Sequence, residues 1–211
     1  MKKEENVVNY YVLCNKLKNI VRTGWKIWNV DRNRLESVAE HIYGTQMLAL
    51  AMASEFDYDI DLKKVMMMLA VHELEEIIIG DIPMGCKEHA EKEAAGHLAV
   101  KEVLKGLINK EEIEKLVFEF DEGKTKEAKF AYHCDKLECD LQEKLYDEEG
   151  CIDIFNQPNN DRIDNDWVQE LMKGGAMTSS ELWYYADEKL YQDDENFQKV
   201  FTFARYHEIS K

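Results

Sequence analysis

Proline is scarce in this chain of 211 residues, which contains only Pro83 and Pro158. Alternating patterns of β-branched residues, which mark half-buried strands, are also sparse. Because both shortages are typical of helical proteins, they favour an all-α fold. The hydrophobic content of 45% is sufficient for one sizeable core, so we expect residues 1–211 to form a single domain.

Long apolar runs are missing as well. No stretch of 18 apolar residues occurs, so we expect no membrane-spanning helix. The first five residues lead into a mixed polar segment, unlike the apolar core of a signal peptide. The cysteines are odd in number and scattered, which fits reduced thiols in a cytoplasmic protein better than a disulfide framework. They are Cys14, Cys86, Cys134, Cys139 and Cys151.

Positively charged residues are few. The chain has 27 lysines and arginines against 43 aspartates and glutamates, which gives a formal charge of −16. A protein that binds a nucleic acid polymer needs a basic surface to displace the counterions of the phosphate backbone, and no basic stripe is present. We therefore expect no nucleic acid polymer as partner. A small anionic substrate remains compatible with this composition if a metal ion or a few cations lie in its site.

Helix starts and ends are legible in the sequence. Capping boxes occur at Ser37-Val38-Ala39-Glu40 and at Thr178-Ser179-Ser180-Glu181. Gly80 should end a helix that Asp59 or Asp61 caps. The predicted helices span residues 37–56, about 59–80, 87–106, a shorter piece after Asn109, 125–150, 178–190 and 196–207. Residues 153–166 are the clearest loop, either a lid or a simple connection.

One predicted helix runs from an apolar stripe into the acidic segment His72-Glu73-Leu74-Glu75-Glu76. Its stripe consists of Leu62, Val65, Met66 and Leu69, and it extends onto His72, Glu73 and Glu76. An unpaired carboxylate that faces a core is costly, and a divalent cation would turn that cost into binding. The alternative is that the helix emerges into solvent near residue 72, since polar helix ends are ordinary.

Other predicted helices carry isolated polar residues. His41 lies on an otherwise apolar stripe, where a lone histidine is more often a hydrogen-bonded core residue than a ligand. Asp135 lies at the margin of another apolar stripe and, taken alone, would be a surface residue. Trp25 lies near the N-terminus, where core packing is the ordinary role of an indole.

The order of these residues is informative. A histidine, a histidine–acid pair and an aspartate lie on three separate predicted helices. With their neighbours they resemble the HD-domain metal-dependent phosphohydrolases, and most closely the 5′-deoxynucleotidase branch. The resembling segments are Arg22-Thr23-Gly24-Trp25, Glu36-Ser37-Val38-Ala39-Glu40-His41, Ala70-Val71-His72-Glu73-Leu74-Glu75-Glu76-Ile77-Ile78-Ile79-Gly80-Asp81-Ile82-Pro83 and Asp135-Lys136. The resemblance covers about residues 8–147 and implies a single-domain HD-fold helical bundle, on which C-terminal helices of about residues 165–208 pack.

The resemblance also implies a site. It implies one divalent ion, either Mn²⁺, Co²⁺, Mg²⁺, Zn²⁺ or iron, with the ligands His41, His72, Glu73 and Asp135. The implied catalytic residues are Glu76, which activates or orients the attacking water, and Asp81. The implied substrate-binding residues are Asp81 at the sugar, Trp25 as a screen against a 2′-hydroxyl, and Arg22 at the phosphate. Arg32 and Arg34 are alternatives for the phosphate.

The function implied by the resemblance is hydrolysis of (deoxy)nucleoside 5′-monophosphates to nucleoside and phosphate, by a cytoplasmic homodimer. The family's aspartate is Glu73 here, which is one methylene longer but can still donate an oxygen from a shifted position. One alternative is an HD phosphohydrolase that acts on another small phosphate ester or a nucleoside polyphosphate. Another is a nucleotide-binding module in which Glu73 has impaired catalysis.

Overall fold

A computed structural model describes residues 2–82 and 89–211 of the chain. In this part of the chain the secondary structure is helical, apart from one antiparallel bridge between Val21 and Ser37. The prediction of an all-α fold is confirmed. The helices are α1 (Lys3–Cys14), a 3₁₀ helix (Asn15–Asn19), α2 (Thr23–Ile27), α3 (Val38–Glu55), α4 (Leu62–Val71), α5 (Glu76–Ile79), α6 (His89–Leu104), α7 (Lys110–Glu122), α8 (Lys126–Glu148), α9 (Asp166–Lys173), α10 (Ser179–Asp187) and α11 (Glu195–Tyr206). No described helix is long and apolar enough to cross a membrane.

The chain divides into two compact units, each built from two segments. Unit 1 comprises Met1–Thr23 and Glu36–Asp135. Its core is a cluster of aliphatic side chains from the 3₁₀ helix, from α3, α5, α6 and α7, and from the turn between α4 and α5. The buried members are Leu17, Val38, Leu74, Ile77, Val100, Val103, Leu104 and Val117. Burying such side chains is the main favourable term in folding.

Unit 2 comprises Gly24–Leu35 and Lys136–Lys211. Its core is richer in aromatic side chains than that of unit 1. The buried members are Trp25, Trp28, Val30, Tyr146, Ile152, Ile154, Val168 and Leu182. The assignment of residues 1–211 to one domain, with residues 165–208 packed on its motif-bearing part, stays a prediction.

Most predicted helix ends agree with the structure. Ser37 and Thr178 are N-cap residues with reciprocal capping boxes, so the predicted starts of α3 and α10 are confirmed. Helix α10 ends at Asp187, three residues earlier than predicted. The loop predicted over residues 153–166 contains turns and no helix before α9 begins. For the helix predicted over residues 87–106, the first two residues lie outside the described part of the chain, as do Pro83 and Cys86.

The prediction of one continuous helix that reaches Gly80 is wrong. Helix α4 ends at Val71, and α5 begins only at Glu76. Between them the backbone N–H groups donate three residues back instead of four, as Leu74 does to Val71 at 3.2 Å. This tighter turn ends the 3.6-residue period, so His72 and Glu76 do not share the face of one helix. Gly80 does end α5, as predicted.

Candidate metal and catalytic site

Four polar side chains of unit 1 converge on one small volume. Their ligand atoms all lie within 4.8 Å of one another. His41 Nε2 lies 3.0 Å from Asp135 Oδ1 and 3.7 Å from Glu73 Oε1. His72 Nε2 lies 3.6 Å from Glu73 Oε1 and 3.8 Å from Asp135 Oδ1. The structure thus brings together all four side chains that the sequence predicted as ligands.

Burial distinguishes these residues from ordinary surface groups. His41, His72 and Asp135 are buried, and Glu73 is nearly so. The possibility that the chain emerges into solvent near residue 72 is therefore wrong for the described site, and so is a surface position for Asp135. His41 is both a hydrogen-bonded core histidine, as one interpretation expected, and a member of the cluster.

The orientation of His72 favours metal binding. Its Nδ1 lies 2.8 Å from the carbonyl oxygen of Leu69, a geometry in which Nδ1 donates its proton. The Nε2 atom then carries a lone pair, and this buried atom has no hydrogen-bond partner in the described structure. A backbone carbonyl that fixes the tautomer of a histidine is the usual support of a metal ligand. The ring of Phe120 packs 5.1 Å from the His72 ring and helps fix it.

The donor set fits a divalent cation. Two imidazole nitrogens and two carboxylates suit Mn²⁺, Fe²⁺, Co²⁺ and Zn²⁺. Ligands about 2.0–2.3 Å from one ion are separated from each other by roughly 2.8–3.8 Å at right or tetrahedral angles. The observed separations of 3.0–3.8 Å match this range. Glu73, although longer than aspartate, places its Oε1 within the cluster.

Arg22 lies at the edge of the cluster. Its guanidinium Nη1 is 3.4 Å from Glu73 Oε1, and both side chains are largely buried. Burial would raise the pKa of Glu73, but the neighbouring His72 and Arg22 outweigh it and hold that pKa below its usual range. Glu73 is therefore ionised, as a ligand must be.

Glu76 is buried beside this cluster, and its Oε2 has no hydrogen-bond partner in the described structure. Burial, together with the negative charges of Glu73 and Asp81, raises the pKa of Glu76 to about 11. These three carboxyl groups thus repel one another when no cation is present. A bound cation would relieve that repulsion, which is a second indication that the site fits a metal.

Asp81 follows the positive-φ residue Gly80 and lies next to Thr23. The Thr23 backbone N–H donates to Asp81 Oδ2, and Thr23 Oγ1 donates to the Asp81 carbonyl oxygen at 2.9 Å. The charge of Asp81, like that of Glu73, raises the pKa of Glu76, so the carboxyl groups of Asp81, Glu73 and Glu76 lie close enough to influence one another. Asp81 therefore lies close to Glu76 and is bonded to Thr23, while its predicted roles in catalysis and at the sugar stay predictions.

The remaining predicted residues lie in unit 2. Trp25 is buried between Tyr146, at 5.2 Å between ring centroids, and Trp183, at 5.6 Å. It is thus a core aromatic of unit 2, and its predicted role at the sugar stays a prediction. Arg32 contacts Glu149 at 3.2 Å and lies over the Tyr146 ring, while Arg34 is exposed. Arg22 alone of the three predicted arginines is shown in contact with Glu73.

Sequence reasoning missed two residues of the site. Thr23 lies inside the quoted Arg22-Thr23-Gly24-Trp25 segment, yet a threonine there gives no signal of a partner 58 residues away. Phe120 lies in a helix whose apolar stripe predicts only core packing. Neither contact could be found without the tertiary structure.

The HD domain family model matches residues 14–170, which is well over half of the chain. The chain belongs to the HD-domain family, and the resemblance identified from the sequence is confirmed. A relative named 5′-deoxynucleotidase HDDC2, from Danio rerio, is 31% identical over 153 residues, covering 68% of this chain and 71% of the relative. The HDDC2 protein of Dictyostelium discoideum is also 31% identical, covering 68% and 79%.

Solved structures agree on the fold. A conserved hypothetical protein from Pyrococcus furiosus has a TM-score of 0.71 at 25% identity, covering 95% of this chain and 99% of that one. A Pyrococcus horikoshii OT3 protein has a TM-score of 0.68 at 24% identity, covering 94% and 98%. The predicted HD fold is therefore confirmed.

Proposed function

We propose that this protein hydrolyses deoxynucleoside 5′-monophosphates to deoxynucleosides and phosphate, with one divalent metal ion. The observation that carries the proposal is the convergence of His41, His72, Glu73 and Asp135, with 3.0–3.8 Å between their closest atoms. Glu76, beside this cluster, supplies a carboxyl group for the hydrolytic water. Membership of the HD-domain family and the name of the relatives support this reaction class.

The four ligands would hold the ion through two nitrogens and two carboxylates. When bound, a divalent ion polarises phosphoryl oxygens and lowers the pKa of water, which is the chemistry that this hydrolysis needs. A bound cation would offset the negative charges that raise the pKa of Glu76, so that its carboxylate can orient the attacking water and take its proton, as a positioned general base does. Arg22 lies on the Glu73 side of the cluster, and its guanidinium group binds the phosphate of the substrate.

Sugar recognition is the finer part of the proposal. Asp81 accepts a hydrogen bond from the 3′-hydroxyl, because a carboxylate has several lone pairs and Thr23 uses only some of them. Trp25 screens against a 2′-hydroxyl by steric exclusion, which can reject a substrate more strongly than one lost contact can. We expect Trp25→Ala to reduce the ratio of kcat/KM for deoxy over ribo substrates, and an unchanged ratio would restrict Trp25 to core packing.

We also propose a cytoplasmic homodimer. The four described cysteines are free thiols, as expected in a reducing compartment. Helix α3 exposes Tyr43, Met47 and Leu50 at steps of four and three residues, so they form one apolar stripe. Such a stripe can bury itself against the same stripe of a second copy. Light scattering of wild type and of Met47→Glu tests this: the variant should be monomeric.

Phosphate release from a panel of substrates tests the proposed function. The panel contains deoxy- and ribonucleoside monophosphates, nucleoside di- and triphosphates, and simple phosphate esters, each measured with Mn²⁺, Co²⁺, Mg²⁺ or Zn²⁺. We expect the highest kcat/KM for a deoxynucleoside monophosphate. Preference for a polyphosphate or a simple ester would contradict the substrate class, and no release by metal-loaded protein would indicate a binding module.

A further inference from the structure

Thr23 and Asp81 are joined by two hydrogen bonds although they lie 58 residues apart in sequence. One bond reaches the carboxylate of Asp81, and the other reaches its backbone carbonyl oxygen. The first restrains the side chain, while the second restrains the main chain that carries it. Two bonds to different parts of one residue fix its orientation more firmly than either bond alone.

Residues 20–23 are themselves held in place. The N–H of Val38 donates to the Ile20 carbonyl at 2.9 Å, and the N–H of Arg22 donates to Glu36 at 3.0 Å. Val21 pairs with Ser37, the N-cap residue of α3. The segment therefore runs along the start of the helix that carries His41. Thr23 is consequently placed by the same element as a predicted metal ligand.

Asp81 needs such a restraint. It follows Gly80, whose φ of 74° lies in a region that favours glycine and whose N–H bonds back to Glu76 at 3.0 Å. Helix α5 has ended at this point, so helical hydrogen bonds no longer hold the chain. A carboxylate that accepts a hydrogen bond from one hydroxyl of a substrate must nevertheless be held in a fixed position, because a small displacement weakens the hydrogen bond strongly.

We propose that Thr23 is a positioning residue that holds the Asp81 carboxylate toward the 3′-hydroxyl of the nucleotide, and so sets the preference for substrates that carry this hydroxyl. This inference rests on the proposed function. The adjacent Arg22 contacts Glu73, so two consecutive residues hold two acidic groups of the site. Thr23 itself need not touch the substrate.

The test compares deoxynucleoside monophosphates with their 2′,3′-dideoxy counterparts in wild type, Thr23→Val, Thr23→Ser and Asp81→Ala. Valine keeps the shape of threonine but cannot donate from a hydroxyl, whereas serine can. Thr202→Val, at an exposed position of α11, is the matched control. The readout is the ratio of kcat/KM between the two substrates, and calorimetry gives the same ratio for binding of the two product nucleosides without turnover.

We expect Thr23→Val to lower the deoxy-over-dideoxy ratio about five- to tenfold, the effect of one hydrogen bond. Thr23→Ser and Thr202→Val should keep the wild-type ratio, and Thr23→Val should add nothing further in an Asp81→Ala background. Equal loss on both substrates, or multiplicative effects of the two substitutions, would overturn the inference. If wild type is active and only Asp81→Ala lowers the deoxy-over-dideoxy ratio of kcat/KM, Thr23 has no positioning role. If wild type releases no phosphate from any substrate, the proposed function itself fails.

Discussion

Glu143 makes the stability of unit 2 dependent on pH. This residue lies on α8, fully buried in unit 2. Burial raises the pKa of Glu143 to about 8, against the opposing influence of the Ser179 hydroxyl and with a further increase from Asp147. Glu143 therefore carries a proton in the folded protein at neutral pH, whereas the unfolded chain releases it near pH 4.5.

The sign and size of the effect follow from linkage. A carboxyl group with a raised folded-state pKa contributes stability that is fully present below about pH 4.5 and is lost as pH rises through about 8. At about 1.4 kcal/mol for each pH unit, the loss amounts to at most about 5 kcal/mol. Replacing Glu143 by glutamine removes this ionisation and keeps the shape of the side chain.

Urea unfolding, followed by circular dichroism at pH 5, 6, 7, 8 and 9, measures the difference. We expect Glu143→Gln to match wild type near pH 5 and to exceed its free energy of unfolding by several kcal/mol near pH 9. Asp161→Asn, at an exposed position of the same unit, should show no such divergence. If the difference between Glu143→Gln and wild type stays constant from pH 5 to pH 9, Glu143 does not ionise in the folded protein as expected.

Three further predictions concern unit 1. Glu76→Gln should retain metal, measured by elemental analysis, but lower kcat by about 10²- to 10⁴-fold, and unchanged turnover would remove Glu76 from the mechanism. Glu73→Asp should keep metal binding and activity, because aspartate is the family's residue; loss of metal in calorimetry would show that the site requires the longer side chain. Gly80→Ala should lower the free energy of unfolding by about 1 kcal/mol, because alanine disfavours the φ of 74°, and a neutral effect in urea unfolding would contradict that strain.

Sequence patterns predicted the capped helices well, since a capping box is a local signal. Ser37 and Glu40 satisfy each other within one turn, and the structure shows the same pair. Helix α1 was not predicted, and none of its residues is buried. Only its last turn packs against the core of unit 1, through the partly buried Tyr10, Leu13 and Cys14. The periodic signal is therefore short, and Val7, Val8 and Tyr11 remain exposed.

The site was predicted as a set of residues but not as a geometry. The order of His41, His72, Glu73 and Asp135 along the chain indicated a family, and the structure brings their ligand atoms together. The end of helix α4 at Val71 could not be predicted from the sequence. Residues 72, 73 and 76 fall on the same helical spacing as the apolar stripe before them, whereas the backbone in the structure tightens into a turn. In the tertiary structure Leu74 and Ile77 lie in the core of unit 1, while His72 lies in the ligand cluster.

The most direct test of the central claim is the number of Mn²⁺ ions bound per chain, measured by calorimetry on chelator-treated wild type, His72→Ala and Asp135→Ala, with the exposed Lys63→Ala as control. Because His72 and Asp135 each contribute a ligand atom to the four-residue cluster, removing either should weaken binding severely. We expect one ion per chain in wild type and in Lys63→Ala, and no measurable ion in His72→Ala and Asp135→Ala. The proposed metal site would be contradicted by wild type that binds no ion, or by His72→Ala and Asp135→Ala binding the ion with wild-type affinity.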